Sequence, residues 1–189
     1  MSLKTEDSWN SDLRDTSRAA SALALTGTVY PEVGKWLLDR QKDGSWNEDV
    51  YDSTYALTAL ADMGHYNEEA CRWLIDNYGE KWEHPGTTSL IITALFKTGK
   101  NKGKNEYRDF IRERAEWILS QRENGSAWKT PATSNLVIQS LVLAGYKEDC
   151  LEPLKWVLSK MNSNASWGKD NGDINTTSLT LITIRSFQK

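Results

Sequence analysis

The residues best suited to chemistry lie in one acidic stretch, Asn47-Glu48-Asp49-Val50-Tyr51-Asp52. A carboxylic acid donates a proton near neutral pH only if its surroundings keep it uncharged, and two neighbouring carboxyl groups can do this for each other. Asp49 and Asp52 are candidates for such a pair. Tyr51 and Tyr55 would border the same site, and they are candidates for contact with a ligand.

Asp52 also belongs to a series of residues with a structural explanation. Each member precedes a run of apolar or small residues that has the character of a buried helix. The series is Asp15, Asp52, Thr87, Thr133 and Thr176. Each side chain can accept a hydrogen bond from the free amides of a first helical turn, so we expect these residues to be N-caps. This interpretation favours a structural role for Asp52.

No set of metal ligands is recognisable. The only histidines are His65 and His84, and the only cysteines, Cys71 and Cys150, are far apart and have no Cys-x-x-Cys partner. The segment Asp170-Asn171-Gly172-Asp173 lacks the alternating ligands and the terminal glutamate of a calcium loop. We therefore predict no bound metal and no cofactor.

The spacing of the tryptophans indicates which elements position the candidate residues. The chain has nine tryptophans and only three phenylalanines. Five of them, which we call the column tryptophans, recur at intervals of 36 to 46 residues: Trp9, Trp46, Trp82, Trp128 and Trp167. The other four, the outer tryptophans, precede the last four of that series: Trp36, Trp73, Trp117 and Trp156. A glycine series shares the period: Gly27, Gly64, Gly99 and Gly145. Self-similarity at this period is typical of a repeat architecture.

Each period predicts one amphipathic outer helix and one mostly apolar inner helix. We expect inner helices near 16–26, 53–63, 88–98, 134–144 and 177–187, and outer helices near 32–41, 67–78, 107–120 and 151–161. The glycine series would end the inner helices in the left-handed conformation. The basic segment from Lys97 to Glu106 is predicted to be a polar loop; a diphosphate clamp is the less favoured interpretation.

Length and charge limit the function classes. The chain has 189 residues and a net charge of -3, which fits one domain and argues against nucleic acid as a partner. We expect a single domain over 1–189 with residues 1–8 flexible; an origin in a longer protein is left open. No transmembrane stretch or signal peptide is recognisable, which favours the cytoplasm by default, or an extracellular location if the chain is part of a secreted protein.

Residues 36–46, Trp-Leu-Leu-Asp-Arg-Gln-Lys-Asp-Gly-Ser-Trp, resemble the QW motif of the squalene–hopene cyclase and protein prenyltransferase β-subunit superfamily. Gln41 is the motif glutamine, and Gln121 belongs to a weaker copy that ends in Gly125-Ser126-Ala127-Trp128. The resemblance implies an all-α fold, an α/α toroid of about four and a half helical hairpins with an inner and an outer layer. It also implies that the glutamine bridges helix ends while the tryptophan packs on the next repeat.

The chemical residues of that superfamily do not carry over. The acidic stretch lacks the spacing of the Asp-x-Asp-Asp acid of the cyclases, and no Asp, Cys and His set for the transferase zinc is found. We therefore favour a non-catalytic binding or scaffold module whose partner is a small apolar or isoprenoid ligand or a protein. Two alternatives remain open: a terpenoid cyclase or prenyltransferase-like enzyme acting on an isoprenoid, and a small-molecule carrier of the cobalamin-carrier type.

The repeat also predicts where the carboxylates lie. Loops that follow the column tryptophans should emerge together with the N-termini of the inner helices, whose partial positive charge stabilises anions. The residues expected at this rim are Glu48, Asp49, Asp52, Glu83, Asp170 and Asp173. A ligand at the rim is expected to offer a polar or cationic group, and the candidates for contact with it are Tyr51, Tyr55 and Asp173.

Overall fold

The structure, a computed structural model, describes residues 7–102, 107–123, 127–169 and 171–188. Within these ranges the chain folds into nine α-helices, and no strand longer than an isolated bridge is present. The helices are α1 Leu13–Ala24, α2 Pro31–Leu38, α3 Val50–Asp62, α4 Glu68–Asp76, α5 Pro85–Asn101, α6 Arg108–Ser120, α7 Pro131–Leu143, α8 Leu151–Ser159 and α9 Ile174–Ser186. Short 3-10 turns at Glu80–Trp82 and Glu148–Cys150 precede α5 and α8. The predicted all-α fold is confirmed.

The chain forms two compact units. Unit 1 comprises Met1–Trp82 and Ala94–Arg108, and unit 2 comprises Glu83–Thr93 and Asp109–Lys189. In unit 1 the inner helices α1 and α3 pack on each other, with α2 against both and α4 against α3. In unit 2 the inner helices α7 and α9 pack on each other, with α8 against both. The single domain and the closure of the hairpins into a toroid stay predictions.

The inner helices begin three residues earlier than expected, so the predicted N-cap series was wrong. The caps are Asp12, Asp49, Thr130 and Asp173, and each accepts a hydrogen bond from a backbone amide three residues further on, at 2.7 to 3.1 Å. Asp52 therefore occupies the third helical position, where a carboxylate also interacts favourably with the helix dipole. Both positions suit the same residue types, which explains the error.

The column tryptophans tie the two helices of a repeat together. The indole nitrogen of Trp46 donates to the carbonyl of Leu37 at 2.7 Å, Trp128 donates to Ile118 at 2.9 Å, and Trp167 donates to Val157 at 2.8 Å. Each acceptor directly follows an outer tryptophan. Backbone amides of the column tryptophans donate to hydroxyls in the first turn of the next inner helix: Trp9 to Thr16, Trp46 to Ser53, Trp128 to Ser134 and Trp167 to Thr177. Trp82 is buried beside Trp73, with ring centres 5.4 Å apart.

The two motif glutamines differ. The Gln41 side-chain oxygen accepts from Asn67 Nδ2 at 2.6 Å, and Asn67 is the N-cap of α4. Gln41 thus bridges to the start of the next outer helix. Gln121 is exposed and donates to the neighbouring Ser120 hydroxyl at 3.1 Å. Gly125 and Ser126 of that weaker motif copy lie outside the described residues.

One inner helix is longer than expected. Gly27, Gly64 and Gly145 follow helix ends with φ values of 88, 89 and 96°, but α5 continues through Gly99 to Asn101. Asn101 Nδ2 donates to two carbonyls at the end of α3, of Ala61 at 2.7 Å and of His65 at 3.1 Å. These bonds hold the extra turn in place. The loop predicted from Lys97 is therefore helical over its first five residues, and residues 103–106 of it lie outside the described part.

At the N-terminus, the expected flexible segment falls mostly on residues 1–6, outside the described residues, while Ser8 is buried. In the part of the chain that the structure covers, no helix is long and apolar enough to cross a membrane.

Candidate functional site

The acidic stretch after Trp46 borders a cleft of about 630 Å³, which we call the unit 1 cleft. It lies where the start of α1, the end of α2 and the start of α3 meet. The residues that matter for its chemistry are Asp12, Arg14, Trp36, Arg40, Asn47 and Asp52. Every helix that supplies them belongs to unit 1.

A tight bend brings the acidic stretch to this cleft. The fully buried Trp46 fixes the chain, and Asn47 and Glu48 then adopt left-handed φ values of 56 and 51°. Asparagine tolerates this conformation better than most residues. The bend turns the Asn47 side chain onto the first turn of α3, where its Nδ2 donates to Asp52 Oδ2 at 2.7 Å.

Arg14 of α1 is shared by the two candidate carboxylates. Its Nε donates to Asp52 Oδ1, and its Nη2 lies 3.1 Å from Asp49 Oδ1. The hydrogen bond with Asp52 raises the pKa of Arg14 above its ordinary value. Asp49 Oδ1 also accepts from the backbone amides of Tyr51 and Asp52, both at 2.9 Å.

This arrangement disfavours the proton-sharing pair. Both oxygens of the nearly buried Asp52 accept N–H donors, one from Arg14 and one from Asn47. A protonated carboxyl would have to give up one of these bonds, since its hydroxyl hydrogen would face a donor. Asp49 and Asp52 do lie close together, as their spacing suggests, but they share the guanidinium of Arg14 and not a proton.

The two candidate tyrosines also lie beside arginines of the chain itself. The guanidinium carbon of Arg14 is 5.7 Å from the Tyr51 ring centre, and that of Arg18 is 5.9 Å from the Tyr55 ring centre. The face of an aromatic ring attracts cations at such distances. Arginines of α1 thus hold the position that a cationic ligand group was expected to take.

Sequence reasoning missed Arg14 and Arg40. Arg40 lies over the Trp36 ring, 3.7 Å from its centre, and its Nη1 donates to the Trp36 carbonyl at 3.3 Å. The repeat could have indicated Arg14, because Arg14 is the second residue of α1 and Tyr51 is the second residue of α3. Neighbouring inner helices were expected to lie side by side, so their first turns had to meet.

Unit 2 contains a cleft of the same volume, about 630 Å³, at the equivalent place, which we call the unit 2 cleft. It lies between the start of α7, the end of α8 and the start of α9, with Trp156 and Lys160 in the places of Trp36 and Arg40. The remaining charged residues of this cleft are Lys129, Lys169 and Asp173. Among the described residues, no carboxylate lies within ion-pair distance of its three lysines.

Asp173, the third rim candidate, is fixed as the N-cap of α9. Its carboxylate accepts from the Thr176 amide at 2.7 Å, and this hydrogen bond lowers the pKa of Asp173. A Cβ atom at Gly168, where φ is 116°, would lie 1.9 Å from Asp173 Oδ2, so only glycine leaves room for the cap. Asp170 lies outside the described residues.

Metal binding finds no support in the described ranges. No group of three or more His, Cys, Asp or Glu side chains there is placed to hold a metal ion. Cys71 and Cys150 are both buried, and burial raises the pKa of Cys150 to about 12. That thiol stays protonated near neutral pH and is a poor nucleophile or ligand.

Comparison with known proteins gives one informative similarity. No protein-family model matches the chain, and no curated protein sequence matches it. The fold is similar to that of ent-copalyl diphosphate synthase from Streptomyces platensis, with a TM-score of 0.78 and 18% sequence identity. The match covers 94% of this chain and 40% of the synthase chain. The chain therefore shares the helical fold of part of that synthase, and it spans less than half of the synthase's length.

Proposed function

We propose that this chain is a domain of terpenoid-cyclase type that binds an isoprenoid and takes part in its conversion. The observation that supports this most is the similarity in fold to a diphosphate synthase of the terpene class over 94% of the chain. The matched tryptophan contacts in successive repeats add to it, because they build the same helical hairpin several times along the chain.

The role proposed for the chain is to bind the substrate, and the initiating proton would come from elsewhere. A cyclase acid must be neutral before it reacts. Asp49 and Asp52, the best candidates in the sequence, instead share Arg14, and Asn47 occupies the remaining Asp52 oxygen. This electrostatic arrangement suits a binding domain better than a proton donor.

The test compares unsaturated isoprenoids with saturated chains of equal size. The chain would be titrated with squalene and with a C20 prenyl diphosphate, and binding followed by the fluorescence of its nine tryptophans. Squalane and a saturated C20 diphosphate are the matched controls. We expect saturable binding that prefers the unsaturated partner, and no cyclised product by mass spectrometry. Equal or absent binding of all four compounds would overturn the proposal.

A second candidate is a non-catalytic scaffold that binds a protein. It is favoured by the fact that the residues expected to meet a ligand, Asp52, Tyr51 and Tyr55, already contact arginines of the chain. Absence of isoprenoid binding would favour this candidate. Conversely, a cyclised product that is lost in Asp52→Asn and kept in Asp15→Asn, the equivalent position of α1, would show that the chain is itself a cyclase with an acid at Asp52.

A further inference from the structure

We propose that the unit 2 cleft binds an organic phosphate, that is, a phosphate group joined to an apolar body. The assignment does not depend on the proposed function, since it rests on the charges and walls of this cleft alone. It concerns three lysines, Lys129, Lys160 and Lys169, that were not among the predicted site residues.

Three lysines make the cleft positive. Lys129, Lys160 and Lys169 line it, all three are exposed, and none of them has a carboxylate partner among the described residues. Among the described residues, the carboxylate that lines it is that of Asp173, whose Oδ1 accepts from the Thr176 amide as the cap of α9. Anions are the ligands that a cationic cleft attracts.

Helix geometry adds to this field. The first turn of α7, from Thr130 to Ala132, lines the cleft, and α7 is a helix of 13 residues. The N-terminus of a helix carries a partial positive charge and favours phosphate groups. The lysine ammonium groups and the N-terminus of α7 therefore both contribute positive charge to this cleft.

The cleft also has an apolar part of its lining. Trp156, Pro131 and Ala132 supply it, and Lys160 Nζ lies 5.1 Å from the Trp156 ring centre. A ligand with its phosphate on Lys160 would place its adjoining carbon atoms against the indole. The volume of about 630 Å³ lies in the range of pockets for small organic molecules and far exceeds that of one phosphate ion.

The unit 1 cleft shows that this charge pattern is not a general property of the fold. There Arg14 is bound to Asp52 and Asp49, and Arg40 lies on Trp36. The equivalent of Asp52 in α9 is Thr176, which carries no charge. The lysines of the unit 2 cleft therefore have no equivalent of Asp52, the carboxylate that pairs with Arg14 in the unit 1 cleft.

Hexyl phosphate is the probe for the test, added to the full chain and followed by calorimetry and by ¹⁵N-resolved NMR. We expect shifts at the Trp156 indole and not at the Trp36 indole. Lys160→Gln and Lys129→Gln should each weaken binding about fivefold, the scale of an exposed ion pair. Lys35→Gln, which removes the same charge from the exposed side of α2, is the matched control and should bind as the unchanged chain does.

Several results would overturn the assignment. Equal weakening in Lys35→Gln would mean a general charge effect, and shifts at Trp36 would mean the wrong cleft. If inorganic phosphate binds as tightly as hexyl phosphate, the cleft does not recognise an apolar body. If hexanol binds as tightly as hexyl phosphate, the cleft does not recognise the phosphate group. Binding to phosphatidic acid vesicles without binding of hexyl phosphate would replace a soluble ligand by a membrane surface. Each lysine is exposed, so circular dichroism should confirm that the variants fold.

Discussion

The unit 1 cleft and the unit 2 cleft occupy the same place in two repeats, yet their electrostatics differ. Both lie between two inner-helix starts and the end of an outer helix that carries a tryptophan and, four residues later, a cation. In unit 1 an arginine of one inner helix meets carboxylates of the next, while in unit 2 the corresponding positions are alanine and threonine. The repeat therefore determines where a cleft forms, and two or three side chains determine whether its charge is neutralised.

The contacts between inner helices follow the same division. In unit 1, α1 and α3 are joined by the Arg14 ion pairs and by a bond from the Ser21 hydroxyl to Asp62. In unit 2, α7 and α9 are joined by neutral groups, with Asn135 Nδ2 donating to Thr180 Oγ1 at 2.7 Å and Gln139 Nε2 donating to Thr183 Oγ1 at 2.9 Å. Salt screens the first kind of contact far more than the second. Substitutions that destabilise one unit at a time can test this comparison.

The largest effect is expected for Trp46→Ala. Trp46 is fully buried and its indole bonds Leu37, so its loss should cost about 3–5 kcal/mol in the free energy of unfolding. Trp9 is only partly buried, and Trp9→Ala should cost roughly 1–2 kcal/mol. Urea unfolding followed by circular dichroism measures both. Equal midpoints for the two variants would contradict the interpretation of the column tryptophans as repeat anchors.

A smaller effect is expected for Arg14→Met. The change leaves Asp52 nearly buried with one donor fewer, which should cost about 1–2 kcal/mol, reduced from a fully buried case because Arg14 is half-exposed. Lys160→Met in the unit 2 cleft should stay within about 0.5 kcal/mol of the unchanged chain, because no ion pair is lost. Thermal unfolding at low and high salt measures the difference. It should shrink with salt, and equal destabilisation of the two variants would remove the contrast between the clefts.

A pH effect is expected at the start of α9. The pKa of Asp173 is lowered by its bond to the Thr176 amide, so the folded state holds this proton less tightly than the unfolded state does. The stabilisation is therefore fully present above the ordinary value of 3.8 and is lost as the pH falls through the lower, folded value. Hydrogen exchange of the Thr176 amide should show this loss in the unchanged chain.

Two references sharpen the measurement at α9. Asp173→Asn keeps a capping oxygen that does not titrate, so the protection of Thr176 relative to this variant should fall only in acid. The start of α7, capped by Thr130, should show no such change. The same acid dependence in both helices would mean that another group is responsible.

The last prediction concerns the chemical labelling of the two cysteines, one of which is buried in each unit. At pH 8 neither Cys71 nor Cys150 should react with a thiol reagent in the folded chain, because burial excludes the reagent and raises the pKa of Cys150 to about 12. Each cysteine then reports the opening of its own unit. In Trp46→Ala, mass spectrometry should detect Cys71 labelling at a lower urea concentration than Cys150 labelling. Simultaneous labelling would show that the two units unfold together.

Much of the fold follows from periodicity. Apolar patterns, turn glycines and two tryptophan series are local signals, and they placed all nine described helices with ends within about three residues. The errors also have local causes. In the sequence, an Asp at the third helical position cannot be told from an Asp at the N-cap. Gly99 likewise resembles a glycine that ends a helix, although α5 continues through it and Asn101 donates to carbonyls at and just after the end of α3.

The candidate site followed from the sequence only in part. The sequence by itself determined the helical hairpins and the closeness of Asp49, Tyr51, Asp52 and Tyr55, since these residues share the start of one helix. It could not show that Arg14, 38 positions before Asp52, binds that carboxylate, nor that lysines from three different loops and helix ends line one cleft. Whether a charge is paired depends on which helices pack side by side, and that is decided by tertiary packing, because ion pairs form over a few ångströms in space and leave no period in the sequence.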